Sequence, residues 1–250
     1  MDTHSAIAKL TPEATIEEII TADRKAGVLL ASIGIKTKSH KDESLRSVCQ
    51  QLKWSEEEVM KWIQKNKISG PAQPDEQKSA GELDFGDNLS DGCHYLAEDS
   101  HPKLLFLLGE ITCKFPRIHQ VHGNQYPWLK HLQRPLGVFD DKLQFYIYFE
   151  SKKFFPLLGH LHNGNGEILD GMAQKIERGI EIIEDDWNEL SELMNTIERM
   201  GNQLDPPGGA CSTLRIFNSD LKKLFSMLRQ EIHIGKTVIL PLAKEKLTAA

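Results

Sequence analysis

The strongest constraint on this chain is a helical pattern that runs from residue 214 to residue 242. Steps that alternate between three and four residues connect the apolar side chains of this stretch, from Leu214 to Leu242. This is the spacing of a helix face that packs against another helix. Two positions of the face are not apolar, because Glu231 and Gly235 stand where the pattern calls for leucine. The helix is therefore expected to present a carboxylate and, one turn later, a gap to the protein interior.

Three earlier stretches, residues 94–122, 132–157 and 176–204, repeat the same spacing of apolar side chains. Four amphipathic helices joined by short connections predict an all-α fold, an antiparallel four-helix bundle. The first of these helices contains Pro102 and Pro116. Each proline is expected to kink the helix or to begin a new helical segment, since proline donates no backbone hydrogen bond.

The exceptions to the apolar pattern are predicted to meet at one height of the bundle. Antiparallel helices bring residues that are equally far from the connecting turn side by side. Trp187 and Glu231 are each 22 residues from one such turn, and His101 and Tyr146 are 23 and 22 residues from another. Glu150 follows Tyr146 by one helical turn. The predicted layer consists of His101, Tyr146, Glu150, Trp187 and Glu231, around the space left by Gly235.

Inward-facing imidazole and carboxylate groups are how helical bundles build iron and manganese sites. His101, Glu150 and Glu231, with Tyr146 as a fourth ligand, are therefore interpreted as a site for one iron, manganese or zinc ion. The alternative is a metal-free cluster, in which His101 is protonated between the two acids or one acid keeps its proton. Two buried carboxylates need a compensating group of one kind or the other.

Composition argues against several classes of function. A net charge of -6 disfavours nucleic acid or an anionic membrane as the partner. No apolar run is long enough to span a bilayer, and the four scattered cysteines are typical of the reducing cytoplasm. The chain contains no phosphate-binding glycine loop, no Gly-x-Ser-x-Gly and no His-Glu-x-x-His. No catalytic residue is predicted, and a non-enzymatic role is favoured.

The chain is expected to divide into a small helical N-terminal domain, a linker and the bundle, at residues 1–67, 68–92 and 93–250. In the small domain, helices are predicted to begin after the capping residues Thr15, Asp23, Asp42 and Ser55. The linker is predicted from a change to glycine, proline and acidic residues.

Several short motifs occur along the chain in a characteristic order and spacing: Thr15-Ile16-Glu17-Glu18-Ile19, Gly34-Ile35, Val121-His122-Gly123, Phe155-Pro156, Asp205-Pro206-Pro207, Ile232-His233-Ile234 and Ile239-Leu240-Pro241. Together they resemble the Repair of Iron Centres family. That resemblance implies a small N-terminal domain, a hemerythrin-like four-helix bundle that holds two iron ions, and a cytoplasmic role in restoring damaged iron-sulfur clusters.

The resemblance also implies that the di-iron site has degenerated. The family's ligands are four histidines and two bridging glutamates. His101 and Glu150 match two of them, whereas Tyr146, Trp187 and Glu231 replace histidines. Gly235 replaces the second bridging glutamate. In the small domain, residues 38–41 replace the family's Cys-Cys-Gly-Gly run.

Two hypotheses follow. In the first, the protein is a non-catalytic, stress-related scaffold or interaction protein that forms a homodimer or pairs with a family relative. In the second, it is a metal-binding protein with a mononuclear site, which acts in iron handling or in nitrosative or oxidative stress.

Overall fold

The computed structural model of the protein describes residues 11–68, 85, 88–163 and 171–249. The predicted all-α fold is confirmed over these residues, since the only β-type pairing among them is a single bridge between Thr15 and Ser44. The chain divides into two compact units. Unit 1 comprises residues 1–77 and 205–220, and unit 2 comprises residues 78–204 and 221–250.

Unit 1 contains four short helices and the start of a longer one. Thr15 begins the first helix with a reciprocal capping box, in which Glu18 N–H donates to the Thr15 hydroxyl and Thr15 N–H donates to the Glu18 carboxylate. Asp23 caps the second helix through Lys25 N–H. The short helices are α1 (Ile16–Ala22), α2 (Arg24–Ser32), α3 (Leu45–Leu52) and α4 (Glu56–Ile68).

The predicted start of α3 is wrong by two residues. The capping residue is Ser44, whose hydroxyl accepts a hydrogen bond from Ser47 N–H, rather than Asp42. Glu43 cannot be the first helical residue because its carbonyl accepts a hydrogen bond from Ile16 N–H. The chain at this point is extended against the start of α1, and helix formation begins only after that pairing ends.

Residues 205–220 belong to unit 1 although the sequence pattern assigned them to the bundle. Ile216 is part of the same buried cluster as the apolar side chains of the four short helices. The indole Nε1–H of Trp62 donates a buried hydrogen bond of 2.9 Å to Asp220. The first nine residues of the last long helix, Ser212–Ile234, therefore complete the core of the small unit.

The described residues of unit 2 form four long helical runs. Three of them change from α-helix to a five-residue π-helical segment and back. The runs are α5 (Leu89–Tyr95), π1 (Leu96–Ser100) and α6 (His101–His122); α7 (Trp128–Phe149), π2 (Glu150–Phe154) and α8 (Phe155–Asn163); α9 (Met172–Met200); and α10 (Ser212–Ile234, in unit 2 from residue 221), π3 (Gly235–Ile239) and α11 (Leu240–Ala249). The helix α7 packs against its neighbours α6 and α9, and the rings of Phe139 and Phe225 meet edge to face at 5.2 Å.

A proline follows each π segment at the same distance. It is the second residue of the next α-helix in all three cases: Pro102, Pro156 and Pro241. Proline has no N–H for the carbonyl four residues earlier, and its ring crowds that carbonyl, so a helix that continues through proline widens or bends locally. A new helical segment thus starts with Pro102 in its first turn, as predicted. Pro116 was expected to have a similar effect, but it lies inside the uninterrupted α6.

Most of the predicted linker, residues 68–92, lies outside the described residues, and α5 already begins at Leu89. Part of the connection between α8 and α9 also lies outside them. No helix among the residues described is long and apolar enough to cross a membrane.

Candidate metal centre

Three side chains of the kind that bind metal ions meet inside unit 2. His101 is the first residue of α6, Glu150 is the first residue of π2, and Glu231 lies in α10 one turn before π3. Their exposed fractions are 2%, 2% and 1%. Three of the residues that the sequence pattern assigned to one layer are therefore buried together, far from one another along the chain.

The His101 ring lies between the two carboxylates. Its Nε2 atom is 3.0 Å from Glu150 Oε2 and 3.2 Å from Glu231 Oε1. Nε2 carries at most one hydrogen, and its hydrogen bond is formed with Glu150. Glu231 Oε1 is consequently buried without a hydrogen-bond partner among the described residues. A buried acceptor without a hydrogen bond is unfavourable, so this oxygen marks where a positive charge, on the imidazole or on a bound cation, is most favourable.

Two serines form hydrogen bonds with the atoms of His101 and Glu231 that face away from the centre of the cluster. The Ser151 hydroxyl lies 2.8 Å from Nδ1 of His101, on the opposite edge of the ring from the carboxylates. The Ser100 hydroxyl donates a short hydrogen bond to Oε2 of Glu231. Each serine is the sequence neighbour of one ligand residue and contacts a different one.

Burial and charge determine where protons reside when no cation is bound. Burial by itself lowers the pKa of His101, but the hydrogen bond to Glu150 and the negative charges of Glu150 and Glu231 outweigh it and raise the pKa to about 10. Burial raises the pKa of Glu150 to about 7, and the charge of Glu231 adds to this while His101 opposes it. A proton is thus held on the imidazole at neutral pH.

Tyr146 and Trp187, the other two side chains of the predicted layer, are hydrogen-bonded to each other. The indole Nε1–H of Trp187 donates a hydrogen bond of 3.1 Å to the Tyr146 hydroxyl, and both side chains are fully buried. Burial, reinforced by the charges of Glu150 and Glu231, raises the pKa of Tyr146 well above its usual value. Tyr146 is therefore a neutral phenol when no cation is bound, and its role as a fourth ligand remains a prediction.

The gap at Gly235 is filled by Trp187, whose indole packs so closely that even a methyl group at position 235 would overlap it. The Lys236 ammonium lies 5.8 Å from the centre of the indole ring. The sequence pattern predicted that an oversized side chain and a missing one lie at one height. Their direct contact explains how the bundle stays packed.

The chemistry of these donors fits one cation. One imidazole nitrogen and carboxylate oxygens suit iron, manganese or zinc. The donor atoms of His101, Glu150 and Glu231 lie within 4.8 Å of one another, and zinc binds nitrogen and oxygen ligands at about 2.0–2.2 Å.

Sequence reasoning missed Ser100, Ser151 and the three π segments. Serine is common on helix surfaces, and nothing in its spacing marks these two residues. The prolines are a sequence signal that could have located the π segments, because a proline is the second residue after each of them. Ser100 lies in the first π segment and Ser151 in the second.

Fold and site together define an all-α bundle protein with a buried histidine and two carboxylates at its core. No protein-family model matches the chain. It is 24% identical over 136 residues to the iron-sulfur cluster repair protein YtfE of Escherichia coli strain SMS-3-5 and of Escherichia fergusonii. The matched region covers 54% of this chain and 57% of each relative, so the chain spans little more than half the length of the curated relatives it matches. These proteins are distant relatives of this chain.

Proposed function

We propose that this protein binds one iron, manganese or zinc ion through His101, Glu150 and Glu231 and acts in iron handling under nitrosative or oxidative stress. The observation that carries the proposal is the unpaired oxygen Glu231 Oε1, which faces His101 Nε2 at 3.2 Å inside the bundle. The name of the distant relatives, iron-sulfur cluster repair protein, supports the connection with iron.

When bound, the ion would supply the positive charge that two buried carboxylates require. His101 would then give up the proton on Nε2 and keep the one on Nδ1, which faces Ser151. Glu231 would use the oxygen that lacks a hydrogen bond, while its other oxygen remains with Ser100. The surrounding apolar side chains would keep water from the site.

The second candidate is a scaffold without metal, and a specific observation favours it. A protonated His101 already forms a hydrogen bond with Glu150 and lies beside Glu231, so the imidazolium can replace a cation. Trp187 fills the remaining space at Gly235. In this form the protein would act by binding a second copy of itself or a family relative.

Metal analysis separates the two candidates. The protein is purified without chelators or nickel affinity resin, as wild type, Glu231→Ala and Glu184→Ala. Glu184 is the matched control, because it pairs with Lys244 at 3.1 Å and touches none of the three ligands. We expect close to one equivalent of metal in the wild type and in Glu184→Ala, and none in Glu231→Ala.

Metal-free wild type that also fails to take up iron, manganese or zinc on dialysis would overturn the metal proposal. The scaffold would then be tested by the oligomeric state of the purified protein. An unchanged melting temperature with and without chelator would agree with that outcome.

A further inference from the structure

Ser100 and Ser151 connect the three ligand residues in a crossed arrangement. Ser100 precedes His101 in the chain, yet its hydroxyl contacts Glu231. Ser151 follows Glu150, yet its hydroxyl contacts His101. Each serine therefore links the helical run that carries one ligand to a ligand on another run.

The π segments explain why neighbouring residues serve the same site. Successive residues of an α-helix diverge by about 100°, so two neighbours seldom both face the core. Ser100 is the last residue of π1 and Ser151 is the second residue of π2, where the turn is wider and this angle is smaller. Ser100 is 8% exposed and His101 2%, so both lie in the interior.

Ser151 fixes the orientation of the imidazole. A histidine ring has two nitrogens, and the partner of one nitrogen decides what the other can do. With Nδ1 held 2.8 Å from the Ser151 hydroxyl, Nε2 is directed at Glu150 and Glu231. A ring rotated by half a turn would direct carbon atoms at the carboxylates.

Ser100 fixes the rotation of the Glu231 carboxylate. Its hydroxyl occupies Oε2, so Oε1 is the oxygen that faces His101 without a hydrogen bond. Without this contact, the carboxylate could turn and offer a different oxygen, or leave the plane of the site. The serine thereby keeps one acceptor unpaired and aimed at the ring.

We propose that Ser100 and Ser151 are positioning residues, which hold the Glu231 carboxylate and the His101 ring ready for one cation. The cation part of this inference rests on the proposed function. The orientation of the ring is independent of it, because the contact between Ser151 and Nδ1 requires no ion.

Zinc affinity, measured by competition with a coloured chelator, provides the first test. We expect Ser151→Ala and Ser100→Ala to bind zinc about 10- to 100-fold more weakly than the wild type, the usual effect of removing an outer partner of a ligand. Ser151→Thr keeps the hydroxyl and should restore the affinity. Ser191→Ala is the matched control, because the Ser191 hydroxyl donates to the backbone carbonyl of Trp187, and its loss should leave zinc binding unchanged.

Nuclear magnetic resonance of ¹⁵N-histidine-labelled protein in chelator provides the second test. The His101 Nδ1–H signal should be protected from solvent exchange in the wild type, in Ser151→Thr and in Ser191→Ala, and unprotected in Ser151→Ala. A general loss of stability in Ser151→Ala would expose other buried protons as well, so a change limited to His101 identifies positioning.

The two tests fail in different ways. Wild type that binds no zinc overturns the proposed function, and the Nδ1–H signal then still decides the role of Ser151. Equal zinc affinity in wild type and both alanine variants overturns the positioning of the cation site, and an Nδ1–H signal that is equally protected in Ser151→Ala overturns the positioning of the ring.

Discussion

Trp187 occupies the volume that the absent side chain of Gly235 leaves free. A Cβ atom at Gly235 would lie 2.2 Å from Cζ2 and 2.7 Å from Cη2 of the indole, far inside van der Waals contact. The indole comes from α9 and the glycine from π3, so the two positions depend on each other although 48 residues separate them. A side chain at position 235 therefore requires a smaller one at position 187.

Gly235→Ala should therefore destabilise unit 2. The indole is fully buried and attached to a packed helix, so it cannot move away freely, and overpacking of this kind typically costs about 1–3 kcal/mol. The measurement is urea unfolding followed by circular dichroism. A matched control is Gly137→Ala in α7, where an added Cβ meets no atom within 4 Å, and which should stabilise the protein by about 0.5–1 kcal/mol.

The same pair allows a double-mutant cycle. Trp187→Leu removes the indole atoms that a methyl group at Gly235 would overlap. In that background, Gly235→Ala should lose most of its penalty. An equal penalty in both backgrounds would mean that the overlap with Trp187 is not its cause.

The helical runs and the membership of the buried layer were predictable from the sequence because both depend only on periodicity. Apolar spacing places His101, Glu150 and Glu231 on packed faces, and the distance from each turn gives their height. Hydrogen-bond partners depend on the direction of each side chain around its helix axis. A sequence pattern that assumes a constant 3.6 residues per turn does not give that direction where the helix geometry changes. Each π segment changes that rotation, and two of them bring Ser100 and Ser151 into the site.

Tertiary packing accounts for the other differences. Residues 214–220 carry the apolar spacing of a bundle helix, but Ile216 is buried in the core of the small unit. An apolar helix face of this spacing can pack against the bundle or against the small unit, so the spacing alone does not identify its packing partner. Likewise, Asp42 and Ser44 are both good capping residues, and the pairing of Glu43 with Ile16 selects the second.

Tyr146→Phe should destabilise the protein through Trp187 as well as through the lost hydroxyl. The phenol is the acceptor for the buried Nε1–H of Trp187 at 3.1 Å, and an indole without its acceptor costs about 1–3 kcal/mol. Urea unfolding measures the change. Tyr148→Phe is the matched control, because Tyr148 is 55% exposed and should show no measurable effect.

The same variant tests Tyr146 as a ligand. Protein loaded with ferric iron should show a visible charge-transfer band if phenolate binds the ion, and this band should be absent in Tyr146→Phe. An identical spectrum in both proteins would remove Tyr146 from the set of ligands.

Asp220→Ala should destabilise unit 1. The carboxylate accepts the Nε1–H of Trp62 at 2.9 Å, and the exposed fractions of the two residues are 2% and 5%. Loss of this acceptor in a buried position should cost about 1–3 kcal/mol. Asp220→Asn keeps an acceptor oxygen and should cost less. Near-ultraviolet circular dichroism, which reports the packing of tryptophan, would register the change, and equal stability of the two variants would contradict the role of this hydrogen bond.

The stability of chelator-treated protein should fall as the pH rises from about 7 to about 10. The pKa of His101 is raised from 6.5 to about 10 in the folded protein, so its contribution to the free energy of unfolding is fully present below about pH 6.5. That contribution is lost as the pH rises through the folded value, because the neutral ring no longer compensates Glu150 and Glu231. Urea unfolding across this range measures the slope.

His101→Gln is the comparison for that experiment, since glutamine keeps a hydrogen-bond donor near Glu150 but does not titrate. His101 opposes the rise in the pKa of Glu150, so the substitution also moves the titration of Glu150 to higher pH. The ring is therefore followed directly, by nuclear magnetic resonance of ¹⁵N-histidine-labelled wild type over the same range of pH, and His101→Gln identifies its signal by removing it. A His101 ring that becomes neutral near pH 6.5 would show that the imidazole does not hold a proton between the two carboxylates, and the metal-free scaffold would then lose the charge that makes it feasible.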